Sequence, residues 1–446
     1  MRQELKQKQG DYMANKDQYL IVISYDAFSK DNWEAASKKP NLTKLIANGA
    51  STNRVKSVYP TLTYVIHSSY VTGMYPNTHK VYHNNPLQPF VPEVDQDWHW
   101  FRKDIYSPTV YEAARRANLT TAGILWPVTG KAEAIKYNIP EIRAVRGENQ
   151  AFKVLANGSP LFSIAMEIKY GTHRKGIEQP YLDDFITLCA VDTIKKKTPN
   201  LLLMHLIELD DTKHLNGTKG PHIEEAISRM DRRIGDIMQA VRDRGIEDKT
   251  TFLIVGDHGQ LDVRYKINLN TLFKEHGLIY DEEPFYGQPT RKDWRAYVQG
   301  AGGAAYVHFR PNDPEARELA MRLIREFAED EANGIEAIYG RKELKNLHVE
   351  DRFDFMLEAK EGYAFEDNDE GDLIVDLHAQ GKVYATHGYS PDKPDYTSNL
   401  IISGPRIKSG FDIGDACVID IAPTIASILN IPFNDCDGRT LEEIFL

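Results

Sequence analysis

Three apolar runs of this chain end in an aspartate: Tyr19-Leu-Ile-Val-Ile-Ser-Tyr-Asp26, Leu201-Leu-Leu-Met-His-Leu-Ile-Glu-Leu-Asp210 and Thr251-Phe-Leu-Ile-Val-Gly-Asp257. A nearly continuous aliphatic run between polar residues is the pattern of a strand buried on both faces, as in a parallel sheet covered by helices. In such a sheet the ligand crevice lies beyond the carboxyl ends of the strands. Three carboxylates at three such ends are therefore expected to converge. Like charges so close are costly unless a cation lies among them, and a metal ion is the usual solution. Asp210 is followed by His214 and Asp257 by His258, which adds nitrogen donors to the same ends.

The rest of the chain fits an α/β architecture with a mostly parallel sheet flanked by helices. Pro40 to Gly49 has helical spacing, with Gly49 placed as a C-cap. Ile223 to Val241 reads as a long amphipathic helix feeding the strand that ends at Asp257. Strand, helix and strand in this order imply crossover units. The texture then changes. Ala304 to Phe309 and Ile335 to Tyr339 read as strands around a charged helix, Pro314 to Ala328, which marks a smaller α+β cap inserted in the core. The expected organisation is a polar segment at 1–18, a core at 19–270 and 380–446, and a cap at 271–379.

At 446 residues, one large domain with an insertion is the natural prior. A net charge of −11 argues against a protein that coats nucleic acid or an anionic membrane, but not against a phosphate-bearing substrate held through cations. Cys189, Cys417 and Cys436 are too few and too widely spaced for a disulfide framework or a zinc finger. The first residues lack the apolar core of a signal peptide, and no run reaches the length of a membrane helix. The expectation is a cytoplasmic protein with no membrane partner.

Each local motif has a plain structural alternative. Asp210 and His214, four residues apart, equally suit a salt-bridged helix face. Gly256-Asp257-His258-Gly259 also reads as a glycine turn, and His387 in Thr386-His387-Gly388 as a loop histidine. Thr63 follows Tyr59-Pro60-Thr61-Leu62 and precedes a helix closed by Gly73, the place of an N-cap. There its hydroxyl would face the orphan amides and the positive end of the helix dipole, which would stabilise an alkoxide or a bound phosphate.

Taken together the segments resemble the alkaline phosphatase superfamily and, within it, the nucleotide pyrophosphatase/phosphodiesterase branch. The likeness runs from about Tyr19 to the C-terminus, including Asp437-Gly-Arg-Thr-Leu441. Its most specific part is Tyr59 to Thr63 through Thr72-Gly-Met-Tyr-Pro76 and His79 to Asn84. The resemblance implies Thr63 as a nucleophile that becomes transiently phosphorylated, and Asn84 as a donor to a phosphoryl oxygen. It implies that Asp26, Asp257, His258 and the Thr63 oxygen hold one divalent ion, and Asp210, His214 and His387 a second. Two such ions about 3.5–4 Å apart would stabilise the two ends of an in-line displacement. Three histidines among six protein ligands favour zinc, with manganese as the alternative. Tyr64 lies where the family stacks a nucleobase.

There are departures. The family's Pro-Asn after the aromatic is Val65-Ile66 here, with His67 kept, and Lys80 stands where a glycine is common. The implied function is hydrolysis of phosphodiester or phosphoanhydride bonds in a small phosphate ester, with a nucleotide as one such substrate. The first alternative is a phosphonate or phosphate-monoester hydrolase of the same superfamily. A monoesterase should offer an extra cation, which Arg102, Lys131 or a cap residue would have to supply. A non-catalytic metal-binding protein is a third reading, disfavoured because every ligand type and the nucleophile are intact.

Overall fold

The computed structural model describes residues 15–282, 291–349 and 351–446, so most of the polar segment expected at 1–18 lies outside the described residues. The strands of its largest sheet are β1 (Tyr19–Tyr25), β2 (Gly49–Lys56), β3 (Thr121–Ile124), β4 (Tyr137–Ile139), β5 (Leu201–Leu206), β6 (Thr250–Gly256), β7 (Ser398–Ser403), β8 (Phe411–Asp412) and β9 (Ala416–Cys417). Their order is β8-β2-β7-β6-β1-β5-β3-β4, with β9 also on β2. β1 runs parallel to both β5 and β6, in a register that pairs Tyr25 with Leu206 and with Gly256. β7 alone is antiparallel to both its neighbours.

The aliphatic runs are buried on both faces, as their composition requires. Leu20, Val22, Leu201, Leu203, Leu253 and Val255 face one apolar layer, and Ile21, Ile23, Leu202, Met204, Phe252 and Ile254 the other. The helices that matter here are α1 (Pro40–Ala47), α2 (Thr63–Thr72), α3 (Val110–Arg116), α4 (Gln150–Asn157), α5 (Pro160–Tyr170), α6 (Tyr181–Lys197), α7 (Glu208–Asn216), α8 (Pro221–Arg244), α9 (Pro314–Ala328) and α10 (Ile421–Leu429). α2, α3 and α10 cover the first layer; α1, α5, α6 and α8 cover the second.

Gly49 does not cap α1. Asn48 takes that position, and Gly49 opens β2, where a Cβ would stand 2.3 Å from the Ile402 carbonyl oxygen. The glycine is required by close strand approach, a demand that only tertiary contact creates.

The cap holds a four-stranded antiparallel sheet (Ala296–Ala301, Ala304–Phe309, Phe355–Ala359, Ile335–Gly340) with α9 packed on it through Ala316, Ala320 and Ile324. The second lobe is larger than the 271–379 expected. Leu261–Ile267 pairs with Gly362–Phe365, Ile374–Asp376 and Ala385–Thr386, so the chain enters the lobe soon after Asp257 and leaves it just before His387. Leu-Asp-Val-Arg-Tyr-Lys-Ile is too mixed in polarity to announce this in sequence.

Candidate active site

The strand register sets the geometry. Tyr25, Leu206 and Gly256 stand level in three adjacent strands, so the residues that follow them leave the sheet together. Asp26 and Asp257 are the next residues, and Asp210 lies in the first turn of α7. All three carboxylates are buried.

Asp26, Asp257 and His258 place one ligand atom each within 4.8 Å of one another, and so do Asp210, His258 and His387. His258 Nε2 lies 3.2 Å from Asp26 Oδ1, 3.5 Å from Asp257 Oδ2 and 3.2 Å from Thr63 Oγ1. The first expected ligand group is thus assembled in full. In the second, His214 Nε2 lies 3.1 Å from Asp210 Oδ2, and the His214 and His387 rings are 5.4 Å apart. His387 stacks on His258 at 3.9 Å, which joins the two groups.

The ligand side chains are held from behind. Asp257 Oδ1 accepts from the Ala27 and His258 amides. His214 Nδ1 lies 2.6 Å from the Ala385 carbonyl and His387 Nδ1 3.0 Å from that of Thr61, so each ring can donate there from Nδ1. Gln260 donates to Asp210 Oδ1. Gly388 has φ +92, and a Cβ there would sit 1.7 Å from the Ala301 carbonyl oxygen of the cap. Only glycine lets the loop carrying His387 dock on that lobe.

A cation fits the donors. Asp26 Oδ1 and Asp257 Oδ2 are buried oxygens with no hydrogen-bond partner, an arrangement that ordinarily demands explanation. Burial and the neighbouring Asp26 push Asp257 up to about 7. Burial would lower His258, yet Asp257 and Asp26 overcome it and raise the imidazole to about 9. The surroundings favour positive charge strongly enough to protonate a buried histidine. Burial and the nearby His258 bring His387 down to about 3, leaving it neutral, as a ligand must be. These residue groups are compatible with divalent metal binding.

Thr63 differs from the N-cap reading. Leu62 is the N-cap, with its carbonyl accepting from the Ile66 amide, and Thr63 is the first helical residue. Its hydroxyl makes no capping bond and is turned instead to His258. Asn84 Oδ1 accepts from the Tyr64 amide at 2.9 Å, so its amide nitrogen remains a donor for the cavity that Thr63 and Asn84 both line. Tyr64, expected to stack a base, is fully buried. Its ring lies edge-on to Trp98 and Trp100, and its hydroxyl donates to Glu141. Trp98 and Trp100, stacked at 5.5 Å, offer aromatic surface to the cavity, and Phe185 lines it further in.

Two further histidines border the site: His67, kept by the likeness but given no role, and His205, which the sequence reading passed over. His205, inside β5, places Nε2 3.2 Å from Asp26 Oδ2 and Nδ1 2.8 Å from Glu141. Burial would lower it, but Glu141 and Asp26 hold it well above its usual range. His67, one turn into α2, holds Nδ1 2.8 Å from the Thr63 carbonyl, and its buried Nε2 has no hydrogen-bond partner. The one signal was a histidine in the middle of an otherwise aliphatic strand.

Residues 20–390 match the family model described as type I phosphodiesterase / nucleotide pyrophosphatase. Among curated proteins, venom phosphodiesterase 2 of Crotalus adamanteus is 25% identical over 256 residues, 55% of this chain and 27% of that protein. Ectonucleotide pyrophosphatase/phosphodiesterase family member 3 of Rattus norvegicus is 22% identical over 251 residues, 54% of this chain and 24% of that one. The match thus spans about a quarter of each relative's length. Human ectonucleotide pyrophosphatase/phosphodiesterase 5 superposes with a TM-score of 0.67 at 17% identity, covering 96% of this chain and 100% of that one. An inactive variant of the murine protein in complex with AMP has the same TM-score at 16% identity and the same coverage. The fold is therefore shared, and on the match over residues 20–390 the chain belongs to the type I phosphodiesterase/nucleotide pyrophosphatase family.

Proposed function

We infer that the protein is a metal-dependent hydrolase of phosphodiester or phosphoanhydride bonds, acting through a covalent phosphothreonine at Thr63. The observation that carries this reading is the meeting of Thr63 Oγ1 with His258, Asp26 and Asp257, two of whose buried oxygens lack a partner. Two divalent ions, zinc by donor type with manganese the alternative, would be held by Asp26, Asp257 and His258 and by Asp210, His214 and His387, and would supply Lewis acidity to the hydroxyl and to the leaving oxygen.

The chain's own groups do the rest. Thr63 Oγ1 attacks phosphorus, the bond to the leaving oxygen breaks, and the hydroxyl proton is given up to solvent. Water then attacks from the opposite face: its oxygen joins phosphorus, the bond from phosphorus to Thr63 Oγ1 breaks, and Oγ1 takes a proton back. The Asn84 amide nitrogen donates to a phosphoryl oxygen, and the N-terminus of α2 adds positive potential. The complex of AMP with the murine neighbour supports a nucleotide as one substrate.

The cations named for the monoesterase alternative are engaged elsewhere. Arg102 is paired with Glu112, and Lys131 lies over Phe101. No described residue of the cap at 271–379 lines the cavity. The protein should therefore cleave bis(p-nitrophenyl) phosphate faster than p-nitrophenyl phosphate and contain close to two transition-metal ions. Thr63→Ala should retain metal and lose at least about 10⁴-fold in turnover. Preference for the monoester, or a Thr63→Ala protein that still turns over, overturns this assignment.

A further inference from the structure

Asp210, Asp211 and His214 of α7 line the cavity; Lys213, in the same turn of helix, is completely buried instead. A buried ammonium is costly, and an apolar side chain usually fills such a space without loss of stability. What the ammonium holds therefore matters. Lys213 Nζ lies 2.9 Å from the Ala27 carbonyl oxygen, 2.9 Å from Asn32 Oδ1 and 3.2 Å from Ser29 Oγ, with Asp31 Oδ2 at 3.3 Å as its counter-charge. The three protons of the ammonium are all used.

These acceptors belong to the turn that leaves β1 directly after Asp26. Ala27 has φ +57, a left-handed conformation that a Cβ disfavours. Its amide donates to Asp257 Oδ1 at 3.0 Å, while its carbonyl accepts from Lys213. One strained residue thus supports Asp257 on one side and receives Lys213 on the other. The remaining anchors of α7 act differently. Asp183 of α6 accepts from the Ile207 and Glu208 amides, and Arg233 of α8 holds Glu208. Those contacts fasten α7 to the helix layer. Gln260 ties Asp210 to the loop after Asp257, and Lys213 makes the corresponding tie to the turn after Asp26.

We propose that Lys213 is a positioning residue for the metal-dependent reaction: it fixes the turn after Asp26 against α7 and so sets the spacing of the two ligand groups. The proposal rests on the metal-dependent reading above. Two ions must stand about 3.5–4 Å apart to act on one phosphate, and a misplacement of about 1 Å is enough to cost 10²-fold in rate. A lysine that merely packs would fasten α7 without governing that distance.

The test compares the full chain with Lys213→Met, which keeps the apolar stem and deletes the ammonium, and with Ser29→Ala, which removes one acceptor. Calorimetry follows manganese uptake by the metal-free proteins. Electron paramagnetic resonance of the dimanganese forms reads the exchange coupling between the ions, which depends on their separation. In Lys213→Met both binding steps should weaken about 10–100-fold and the coupling should change. Its kcat on bis(p-nitrophenyl) phosphate should fall about 100-fold with KM little altered. Ser29→Ala should move every readout the same way by less, and it decides alone if Lys213→Met does not fold. Wild-type affinities with unchanged coupling in the variants, whatever their stability in urea, overturn the proposal. So does weakening confined to one binding step, because the spacing is then not at stake. A wild-type protein that takes up fewer than two ions removes the two-metal reading and this inference together. Two ions bound with no activity on any diester removes the hydrolase alone.

Discussion

The two halves of the cavity are built on opposite principles. On the ligand side nearly every group is buried and held by a second one: Asp257 by the Ala27 amide, His387 by Thr61, His214 by Ala385, Asp26 beside His205. On the other side no residue of α4 is fully buried, and Val154 and Leu155 front the cavity. The first half is preorganised, as chemistry at phosphorus requires. The second is a one-sided apolar wall, whose contacts are non-directional. Precision is confined to the atoms that would touch the reacting phosphate.

If the ligand half depends on its outer support, loosening that support should be felt at the metal. His205→Phe would leave Asp26 Oδ2 and Glu141 without their shared partner while keeping an aromatic volume in β5. Metal affinity or turnover should fall about 10–100-fold, the usual effect of losing a residue behind a ligand. Metal titration followed by calorimetry checks this. Undiminished affinity would mean that the two halves differ less than their contacts imply.

The same contrast explains what the sequence made legible. Asp26, Asp210 and Asp257 stood out because a buried strand has an unmistakable composition and the site lies at strand ends. Thr63, Asn84 and His387 came through the family likeness rather than through any local rule. His205 was overlooked because a lone histidine in an aliphatic run reads as core, and its meaning comes from Glu141, 64 positions away. The burial of Tyr64 beside Trp98 and Trp100 was not legible because it depends on a loop with no regular pattern. Lys80, where the likeness implied a glycine, has φ +70, the conformation that makes glycine convenient there. The aliphatic wall was invisible because Val154 and Ile164 look, in one dimension, like ordinary core-facing residues.

The cap also supports the ligand half through a buried acid. Glu358 accepts from the Tyr59 hydroxyl at 3.0 Å and from the Ser390 amide at 2.8 Å, bracketing the segments that lead to Thr63 and away from His387. Burial raises its carboxyl from 4.5 to about 7. A carboxyl that binds its proton more tightly in the folded state stabilises the fold fully below its unfolded pKa. That contribution disappears as pH rises through about 7. Between pH 5 and pH 8 this group should cost the protein about 2 kcal/mol of stability, allowing for partial relaxation. Glu358→Gln should remove that slope. Urea unfolding across this pH range reads it directly, and an unchanged slope would place the dependence elsewhere.

The smallest effect tests the wall itself. In the layers that sandwich the sheet, Leu203 is almost completely buried, and a leucine truncated to alanine at such a site typically loses about 2–5 kcal/mol. Leu155 is only half-buried and fronts the cavity, so truncation removes few packed neighbours and opens no new void. Leu155→Ala should therefore cost less than about 1 kcal/mol in chemical denaturation, at the low end for any apolar truncation. A loss as large as that of Leu203→Ala would show that α4 is held in place by this face, making the wall part of the core. A negligible loss leaves the aliphatic face with no structural task in the fold.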